Sequence, residues 1–395
     1  MPLELAAFFR TTLPLDLSGL DDLDDGRYHS LWMPDHLVSF WPDSVWTSEF
    51  TDLADVSPSP HRYVDALTLA GAVAARTTRT RLATSVLDTV RRHPVMLAQS
   101  ALTLSHLSDG RFILGLGAGE RENLVPYGFD HRGTVSRFAE AVRLIRLLWD
   151  ADGPIDVAGR YFTLAHARLD TEPHPTGPPP IWIGANGPRM LDLVGELGDG
   201  WWPTGSAGPE TYASQLAHIR AAAEQAGRDP DAITPAKMVV CLIGEPDELS
   251  EIMQRPLVKS LVLQLTAEAL AAAGHRHPMG EHWRGIQDID PRSPARGCFG
   301  FSSRWTRRRS CPSCRTAPRS RSPRRSPTSA RRAHGSSRCS TTAGWPVRPT
   351  RPIRRAKSAR SRTQSWSSRG ARHDPVGHRR SARPRARVDG PHRLR

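Results

Sequence analysis

Arg111-Phe-Ile-Leu-Gly-Leu-Gly-Ala-Gly-Glu120 is the stretch that decides the fold of this chain. Its first part, Arg111–Leu116, is a short apolar run that predicts a buried strand. Alternating glycines follow at the strand end, where they permit a positive φ or a close approach of the backbone. Glu120 stands beside them, where a carboxylate can donate a proton or bind a ring edge. The alternative interpretation is an ordinary strand-to-helix turn with a solvated Glu.

Short apolar runs alternate with amphipathic segments on both sides of this stretch. We predict strands at Leu3–Phe9, Ser30–Met33, Arg81–Ser85, Arg111–Leu116, Pro180–Ile183, Gly200–Pro203 and Lys237–Ile243. We predict helices at His61–Arg76, Pro94–Ser108, Thr134–Trp149, Met190–Leu197 and Pro209–Ala226. This order implies a parallel α/β sheet. Because no Gly-x-Gly-x-x-Gly motif opens the first unit, a (β/α)8 TIM barrel is favoured over a Rossmann fold.

Residues 1–292 and 293–395 differ in charge. The first part contains 25 Lys and Arg against 38 Asp and Glu, whereas the second contains 29 against 2. The first part is therefore acidic, which argues against a nucleic-acid-binding surface on it. We predict a barrel over 1–292 that lacks its last strand, and a disordered, low-complexity Arg/Ser/Pro-rich tail over 293–395.

The tail has the composition of GC-rich DNA read out of frame. It holds 28 Arg against the single Lys357, although a phosphate-binding basic arm usually draws on both residue types. Codons shifted by one base admit a Gly-Thr-Pro-Glu helix entry across 314–320. We hypothesise that the frame is lost shortly before Ala295. The alternatives are nucleic-acid binding through the tail and a zinc site at Cys311-Pro-Ser-Cys314, a single CxxC without a second pair.

Membrane insertion and disulfide bonding are both disfavoured. No apolar run reaches the roughly 18 residues of a membrane helix, and the N-terminus lacks a basic-then-apolar signal pattern. Only Cys241 lies within 1–292, so no internal disulfide is expected there and a reducing compartment fits. We predict a cytoplasmic protein with no membrane span and no metal site.

Three further motifs follow predicted strands. Asp35-His36 is an ionisable pair, or else a capping Asp beside a structural His. Thr84-Ser85-Val86 either finishes a strand or lets a flat ring lie against the backbone. Gly184-Ala185-Asn186-Gly187-Pro188 suits a phosphate at a helix N-terminus, or else forms a turn in which Asn caps the helix. A barrel would gather these motifs and Glu120 on one face, at the C-terminal ends of its strands.

Five segments resemble the luciferase-like family of TIM-barrel oxidoreductases in order and spacing. They are Ser30-Leu-Trp-Met-Pro-Asp-His36, Arg81-Leu-Ala-Thr-Ser-Val86, Ser108-Asp-Gly-Arg-Phe-Ile-Leu-Gly-Leu-Gly-Ala-Gly-Glu120, Pro180-Ile-Trp-Ile-Gly-Ala-Asn-Gly-Pro188 and Gly198-Asp-Gly-Trp-Trp202. Glu120 with Asn123 and Pro126-Tyr-Gly128 is similar to one subgroup, the phthiodiolone dimycocerosate ketoreductases. So is His277-Pro-Met-Gly280 with Gln287-Asp288.

The resemblance implies a deazaflavin cofactor, coenzyme F420, lying across the strand ends. Its ring would rest on a non-proline cis peptide at Ser85–Val86. His36 and Glu120 would be the catalytic pair that flanks the ring and manages the proton accompanying hydride transfer. The implied cofactor-binding residues, with the phosphate near the last four, are Asp35, Ser85, Val86, Gly117, Ala118, Gly119, Asn123, Gly184, Ala185, Asn186 and Gly187.

The resemblance further implies an F420-dependent oxidoreductase that acts on a small-molecule or lipid-like ketone or alcohol, in a homodimer. Related deazaflavin enzymes place a Trp a few residues after the His, whereas this chain has Phe40 there, with Trp41 next and Trp46 beyond. The runner-up is an FMN-dependent monooxygenase on the same barrel. A non-catalytic remnant of the family is a further alternative.

Overall fold

Parallel strands organise the fold. The computed structural model describes residues 3–203 and 208–289. The strands are β1 (Ala6–Phe8), β2 (Ser30–Met33), β3 (Arg81–Thr84), β4 (Leu87–Asp88), β5 (Phe112–Gly117), β6 (Ile155–Ala158), β7 (Thr163–Ala167), β8 (Ile181–Gly184), β9 (Gly200–Trp202) and β10 (Thr234–Pro235). The main sheet runs in the order β1-β2-β3-β5-β8-β9-β10 with parallel neighbours, and β4 pairs with the end of β5. β6 and β7 form a separate antiparallel hairpin.

Helices connect the strands. They are α1 (Leu20–Leu23), α2 (Ala66–Ala74), α3 (Pro94–Leu107), α4 (Arg121–Leu124), α5 (Thr134–Asp150), α6 (Pro188–Leu197), α7 (Pro209–Gln225), α8 (Pro246–Ile252), α9 (Pro256–Ser260) and α10 (Ala267–Ala272). Short 3-10 helices lie at Asp43–Val45, Asp52–Asp55, Val125–Tyr127, Pro230–Ala232, Leu261–Gln264 and Gly285–Asp288. The apolar face predicted for α5 is buried at Phe138, Val142, Ile145 and Trp149.

Alternate residues of a strand face opposite sides of the sheet. Leu31 and Met33 of β2 pack outward in the main hydrophobic cluster, which includes residues of the covering helices. Trp32, between them, packs inward in a second cluster, together with Ala83, Ile113, Trp182 and Trp202 from four other strands. An inner layer of this kind, enclosed by parallel strands, is the core of a TIM-type barrel. The α/β barrel class predicted from the sequence is confirmed.

The strand predicted at Lys237–Ile243 is wrong. The paired residues are Thr234 and Pro235, and 237–243 has no regular structure. Val239, Val240 and Ile243 are largely exposed. Their β-branched side chains favour a strand, but a strand also needs a neighbour to accept its hydrogen bonds. β10 pairs with β9 on one side, and no strand of the described residues lies on its other side.

The helix predicted over His61–Arg76 is shorter at both ends in the structure, where α2 spans Ala66–Ala74. Asp65 fixes its start, because the Asp65 carboxylate accepts a hydrogen bond of 2.8 Å from the backbone N–H of Thr68. The preceding residues run across the chain after β1, where Tyr63 forms a bridge with Thr12. The helix therefore begins after Tyr63, which is free to face the strand ends.

Several sequence predictions concern residues beyond those described. The tail over 293–395, the frame change near Ala295, the missing last strand and the Cys311–Cys314 pair all lie outside 3–203 and 208–289. Within the described residues, none of the helices has both the length and the apolar character that crossing a membrane requires. Cys241 is an exposed free thiol.

Gly115 marks a close approach between β3 and β5. A Cβ atom there would lie 1.8 Å from the carbonyl oxygen of Thr84. We expect Gly115→Ala to lower the free energy of unfolding by at least about 2 kcal/mol through overpacking, measured by urea unfolding of the full chain. Gly153→Ala is the control, because a Cβ there meets nothing within 4 Å. Equal stability of the two variants would contradict this account.

Candidate active site

The predicted site residues follow four neighbouring strands. His36 comes after β2, Ser85 and Val86 after β3, Glu120 after β5, and the segment 184–187 at the end of β8. These strands are parallel neighbours in the sheet, so their C-terminal ends lie at one edge. Barrel enzymes carry their catalytic groups at this edge.

His36 and Glu120 are in direct contact. The Nδ1 atom of His36 lies 3.2 Å from Oε2 of Glu120, although the two residues are 84 positions apart in the sequence.

 The two residues therefore meet through the fold of the barrel and not through local sequence. Exposure differs between the two side chains, at 25% for His36 and 45% for Glu120. A histidine and a carboxylate at this distance form an acid–base pair.

Asn123 contacts both members of this pair. Its Nδ2 atom lies 3.1 Å from both His36 Nδ1 and Glu120 Oε2. Its Oδ1 atom accepts hydrogen bonds from the backbone N–H groups of Leu37 at 2.7 Å and Val38 at 3.1 Å. Asn123 is buried. The side chain predicted to bind cofactor therefore also fastens the loop after β2 to α4.

Gly119 turns the chain so that Glu120 reaches His36. Its φ is +96°, a conformation that L side chains rarely adopt. A Cβ atom there would also lie 2.9 Å from Cδ1 of Leu124. The alternating glycines of the sequence thus include one with a positive φ, at Gly119, and one at a close backbone approach, at Gly115.

The two members of the pair shift each other's pKa. Burial acts to lower the pKa of His36, but the charge and hydrogen bond of Glu120 outweigh it and raise the pKa above 6.5, with smaller contributions from Glu122 and Asp35. Burial acts to raise the pKa of Glu120, but His36, Asn123 and Arg91 lower it below 4.5. The pair therefore favours a protonated imidazole beside a carboxylate.

Glu122 is a site residue that the sequence analysis missed. Its side chain is buried, and its pKa is raised to about 7 by burial and then by the charge of Glu120. In the sequence it is an acidic residue in the first turn of a helix, a position that usually faces water. No local signal distinguishes it from a solvated residue, because its burial depends on packing around α4.

Tyr63 was also missed, because it lies inside the segment predicted to be helical. Its ring centroid lies 5.2 Å from that of His36. Burial raises the pKa of the Tyr63 phenol, a hydrogen bond with Ser39 opposes the shift, and Glu120 adds to it. The aromatic neighbour of His36 in the described residues is therefore Tyr63. Phe40 and Trp41 instead contact each other, at 4.2 Å between centroids.

Asp35 is fixed by two guanidinium groups. Arg91 Nη2 lies 2.6 Å from its Oδ2 atom, and Arg92 binds both carboxylate oxygens at 2.6 and 3.0 Å. Arg91 also pairs with Asp88 at the end of β4. The Asp35 side chain is only 2% exposed. Its carboxylate, predicted to bind cofactor, is thus engaged by the protein on both oxygens and anchors the residue before His36.

Val86 forms the surface between β5 and β8. The peptide bond between Ser85 and Val86 is cis, as the resemblance implied. A Cβ atom on Gly117 would lie 2.7 Å from Cγ2 of Val86, and one on Gly184 would lie 3.2 Å from it. The two glycines therefore make room for the Val86 side chain. Ala118, between Gly117 and Gly119, is half-buried against the main core.

The segment 184–187 leads into the N-terminus of α6. Gly187, and not Asn186 as in the alternative interpretation, occupies the N-cap position of α6. A Cβ on Gly187 would meet nothing within 4 Å, whereas Ala185 is buried. The positive end of the α6 helix dipole thus lies beside open space at Gly187.

Indole rings fill the barrel beneath the strand ends. Trp32 stacks on Trp202 with centroids 3.7 Å apart, and its ring lies 5.2 Å from that of Trp182. Trp202 Nε1 is buried without a hydrogen-bond partner. Trp201 faces the opposite side of the sheet, where its Nε1 donates to the carbonyl of Ala185. In the inner layer, Trp32 Nε1 instead donates to Ser30 Oγ at 2.8 Å.

A family model described as "Luciferase-like monooxygenase" matches residues 25–298. The chain belongs to the luciferase-like monooxygenase family. It is an oxidoreductase of this family, and the motifs at its strand ends are those that resembled the family in the sequence. The match includes all of the residues placed at the site above.

Two curated relatives are similar to this chain in sequence. A phthiodiolone/phenolphthiodiolone dimycocerosates ketoreductase of Mycobacterium sp. (strain JLS) is 38% identical over 269 residues, covering 67% of this chain and 71% of the relative. An F420-dependent glucose-6-phosphate dehydrogenase of Kineococcus radiotolerans is 38% identical over 196 residues, covering 47% and 55%.

Among solved structures, an F420-dependent secondary alcohol dehydrogenase in complex with an F420–acetone adduct matches with a TM-score of 0.57 and 22% identity, covering 75% of this chain and 82% of that chain. A riboflavin lyase with modified FMN and riboflavin matches with a TM-score of 0.54 and 19% identity, covering 76% and 79%. These likenesses support the luciferase-like fold.

Removing the charge of Glu120 tests the electrostatics of the pair. We expect Glu120→Gln to lower the pKa of His36, because Glu120 is the group that raises it most. Ring-proton NMR titration of the full chain measures this value, with the exposed Glu224→Gln as control. An unchanged His36 pKa would contradict the assignment.

The same pair predicts a pH dependence of stability. Because the folded pKa of His36 is raised above 6.5, its contribution is fully present below about pH 6.5 and is lost as the pH rises through the folded value. Urea unfolding at a series of pH values should show a smaller loss in Glu120→Gln than in the unmodified chain. A loss of equal size in both would count against the pair.

Proposed function

We propose that this chain is an F420-dependent oxidoreductase that transfers a hydride between the deazaflavin and a ketone or alcohol. The observation that carries the proposal is the contact of 3.2 Å between His36 and Glu120 at the C-terminal edge of the barrel. Hydride addition to a ketone leaves an alkoxide, which needs a proton. A protonated imidazole stabilised by a neighbouring carboxylate can supply that proton.

The two members of the pair have different roles in this proposal. His36 holds the proton, and the carboxylate of Glu120, which raises the pKa of the imidazole, favours its protonated form. Glu120 keeps the imidazolium beside the strand ends through the contact at Nδ1. Asn123 donates a hydrogen bond from Nδ2 to Glu120 and accepts hydrogen bonds from the loop after β2, so it fixes the Glu120 carboxylate relative to that loop.

The residues at the strand ends fit a deazaflavin. The N-terminus of α6, with open space beside Gly187, offers the positive end of its helix dipole to a phosphate. Val86 offers an apolar surface to a flat ring, and the buried Nε1 of Trp202 lacks a partner. When bound there, the deazaflavin supplies or accepts the hydride. Segment 184–187 would hold its phosphate, and Val86 would support its ring.

The relatives support the choice of cofactor and substrate class. One is named as F420-dependent and another as a ketoreductase, and both share more than a third of their matched residues with this chain. A ketone or secondary alcohol of small-molecule or lipid-like character is the substrate class we propose. The runner-up is an FMN-dependent monooxygenase, which the family description itself suggests.

Cofactor titration of the full chain tests the proposal. We expect coenzyme F420 to bind more tightly than FMN, followed through changes in cofactor and tryptophan fluorescence. Preferential binding of FMN would favour the monooxygenase, and binding of neither would contradict both functions.

Glu120→Gln separates a catalytic role from a binding role. If Glu120 stabilises the proton donor, the variant should lose far more turnover than cofactor affinity, with a fall in kcat of about 10²-fold or more. Turnover is measured with F420 and a ketone, and affinity by the titration above. Glu224→Gln, on the exposed face of α7, should leave both unchanged. Equal losses of turnover and affinity in Glu120→Gln would assign Glu120 to cofactor binding.

A further inference from the structure

A cleft of about 390 Å³ lies on the outside of the barrel. It is bordered by α5, by α6 and by the turn of the β6–β7 hairpin, which contributes Arg160 and Tyr161. A Cβ atom on Gly133, at the start of α5, would lie 2.6 Å from the Tyr161 hydroxyl oxygen, so the hairpin contacts this helix closely. None of the residues that line the cleft belongs to the candidate active site.

The acidic side chains that line the cleft are engaged by the protein itself. The carboxylate oxygens of the buried Glu140 accept hydrogen bonds from the backbone N–H groups of residues 160–162, at 2.8 to 3.1 Å. Glu196 pairs with Arg143 at 3.0 Å, and Asp192 has a histidine nitrogen of α7 at 2.6 Å. Each anion of the lining therefore already has a partner within the chain.

Two guanidinium groups of the lining have no acidic partner among the described residues. Arg189 Nη2 donates to the neutral Ser136 Oγ at 3.1 Å, and the Arg160 guanidinium lies 5.2 Å from the centroid of the Tyr161 ring. Arg137 lies over the same ring, at 5.5 Å. A guanidinium has five N–H donors, so Arg160 and Arg189 retain donors for a ligand.

The charge around the cleft differs from that of the barrel as a whole. Residues 1–292 contain 25 Lys and Arg against 38 Asp and Glu. The four arginines that line or adjoin the cleft outnumber its three acidic residues; they are Arg137, Arg143, Arg160 and Arg189, against Glu140, Asp192 and Glu196. A concave surface with an excess of positive charge concentrates anions. The planar guanidinium fork matches the oxygen atoms of a carboxylate or phosphate group.

We propose that this cleft binds a small oxyanion, a carboxylate or phosphate group, through the guanidinium groups of Arg160 and Arg189. Its volume falls within the roughly 300–1,000 Å³ typical of small-molecule sites, and the Tyr161 ring adds an apolar wall for the carbon skeleton of the ligand. Two sources fit this chemistry. The anion is either a free molecule or an anionic group of the bound cofactor, because Arg189 comes two residues after Gly187.

Ring-labelled tyrosine in the full chain reports on the cleft by NMR. The chain has five tyrosines, none of them in 293–395, so the Arg/Ser/Pro-rich tail contributes no signal. We expect inorganic phosphate near neutral pH to shift the Tyr161 signal with saturation. Tyr28 is the internal control, because Arg27 lies over its ring at 6.0 Å but is paired with Asp25. A Tyr161 shift that does not saturate, or that is no larger than the Tyr28 shift, would overturn the proposal.

Arg160→Gln and Arg189→Gln test the two guanidinium groups. Each variant loses charge-assisted hydrogen bonds to the anion, so we expect each to raise the phosphate concentration at half-saturation about 10-fold. Arg189→Gln leaves Arg160 beside Tyr161, so the reporter keeps its surroundings. Arg220→Gln is the matched control, because it removes an arginine that pairs with Asp231 on another face of the chain. An unchanged half-saturation in both cleft variants, or an equal rise in the control, would contradict the site.

Coenzyme F420 distinguishes the two sources of the anion. If the anion is free, Tyr161 still responds to phosphate in the F420-bound chain, and both cleft variants keep the F420 affinity of the unmodified chain. If the anion belongs to the cofactor, bound F420 abolishes the phosphate response and the variants bind F420 more weakly. Where F420 does not bind, the proposed function fails, whereas the phosphate titration still decides the anion site because it uses no cofactor.

Discussion

The buried pairing of Asp35 with Arg91 and Arg92 is the interaction on which the site depends. Asp35 ends the run that leaves β2, and the two arginines follow β4, so their contacts fix two strand ends relative to each other. Breaking such a pair leaves an uncompensated buried charge, which is strongly destabilising. His36 is the next residue, and its position opposite Glu120 follows from this anchor and from the bonds of Asn123 to the same loop.

The carboxyl groups of Glu120 and Glu122, two residues apart, lie in different environments within this arrangement. Glu120 is half-exposed and faces an imidazole, so it favours its charged form. Glu122 is enclosed and faces another acid, so it favours its neutral form. Neighbouring carboxyl groups whose environments push their pKa values apart take different roles in a site. Here the difference arises from burial, since Glu120 is the N-cap residue of α4 and is exposed, whereas Glu122 lies within the helix and is buried.

The sequence was sufficient wherever topology alone determines position. Parallel strands must end at one edge, so placing His36 and Glu120 after predicted strands was enough to bring them together. The sequence was insufficient where packing determines the burial of a side chain or the bounds of an element. The sequence pattern around Glu122 is that of a solvated residue. Tyr63 lay within the predicted helix, whose start is in fact fixed two residues later, at Asp65. The segment 237–243 has strand propensity, but no described strand lies beside it to pair with.

An indole layer lies in the barrel interior beneath the strand ends. Trp32, Trp182 and Trp202 fill this interior with apolar surface. Electrostatic interactions strengthen where water is excluded, and the cost of an unpaired buried charge rises with them. A second anion at Glu122 would therefore be far more costly than at a surface position.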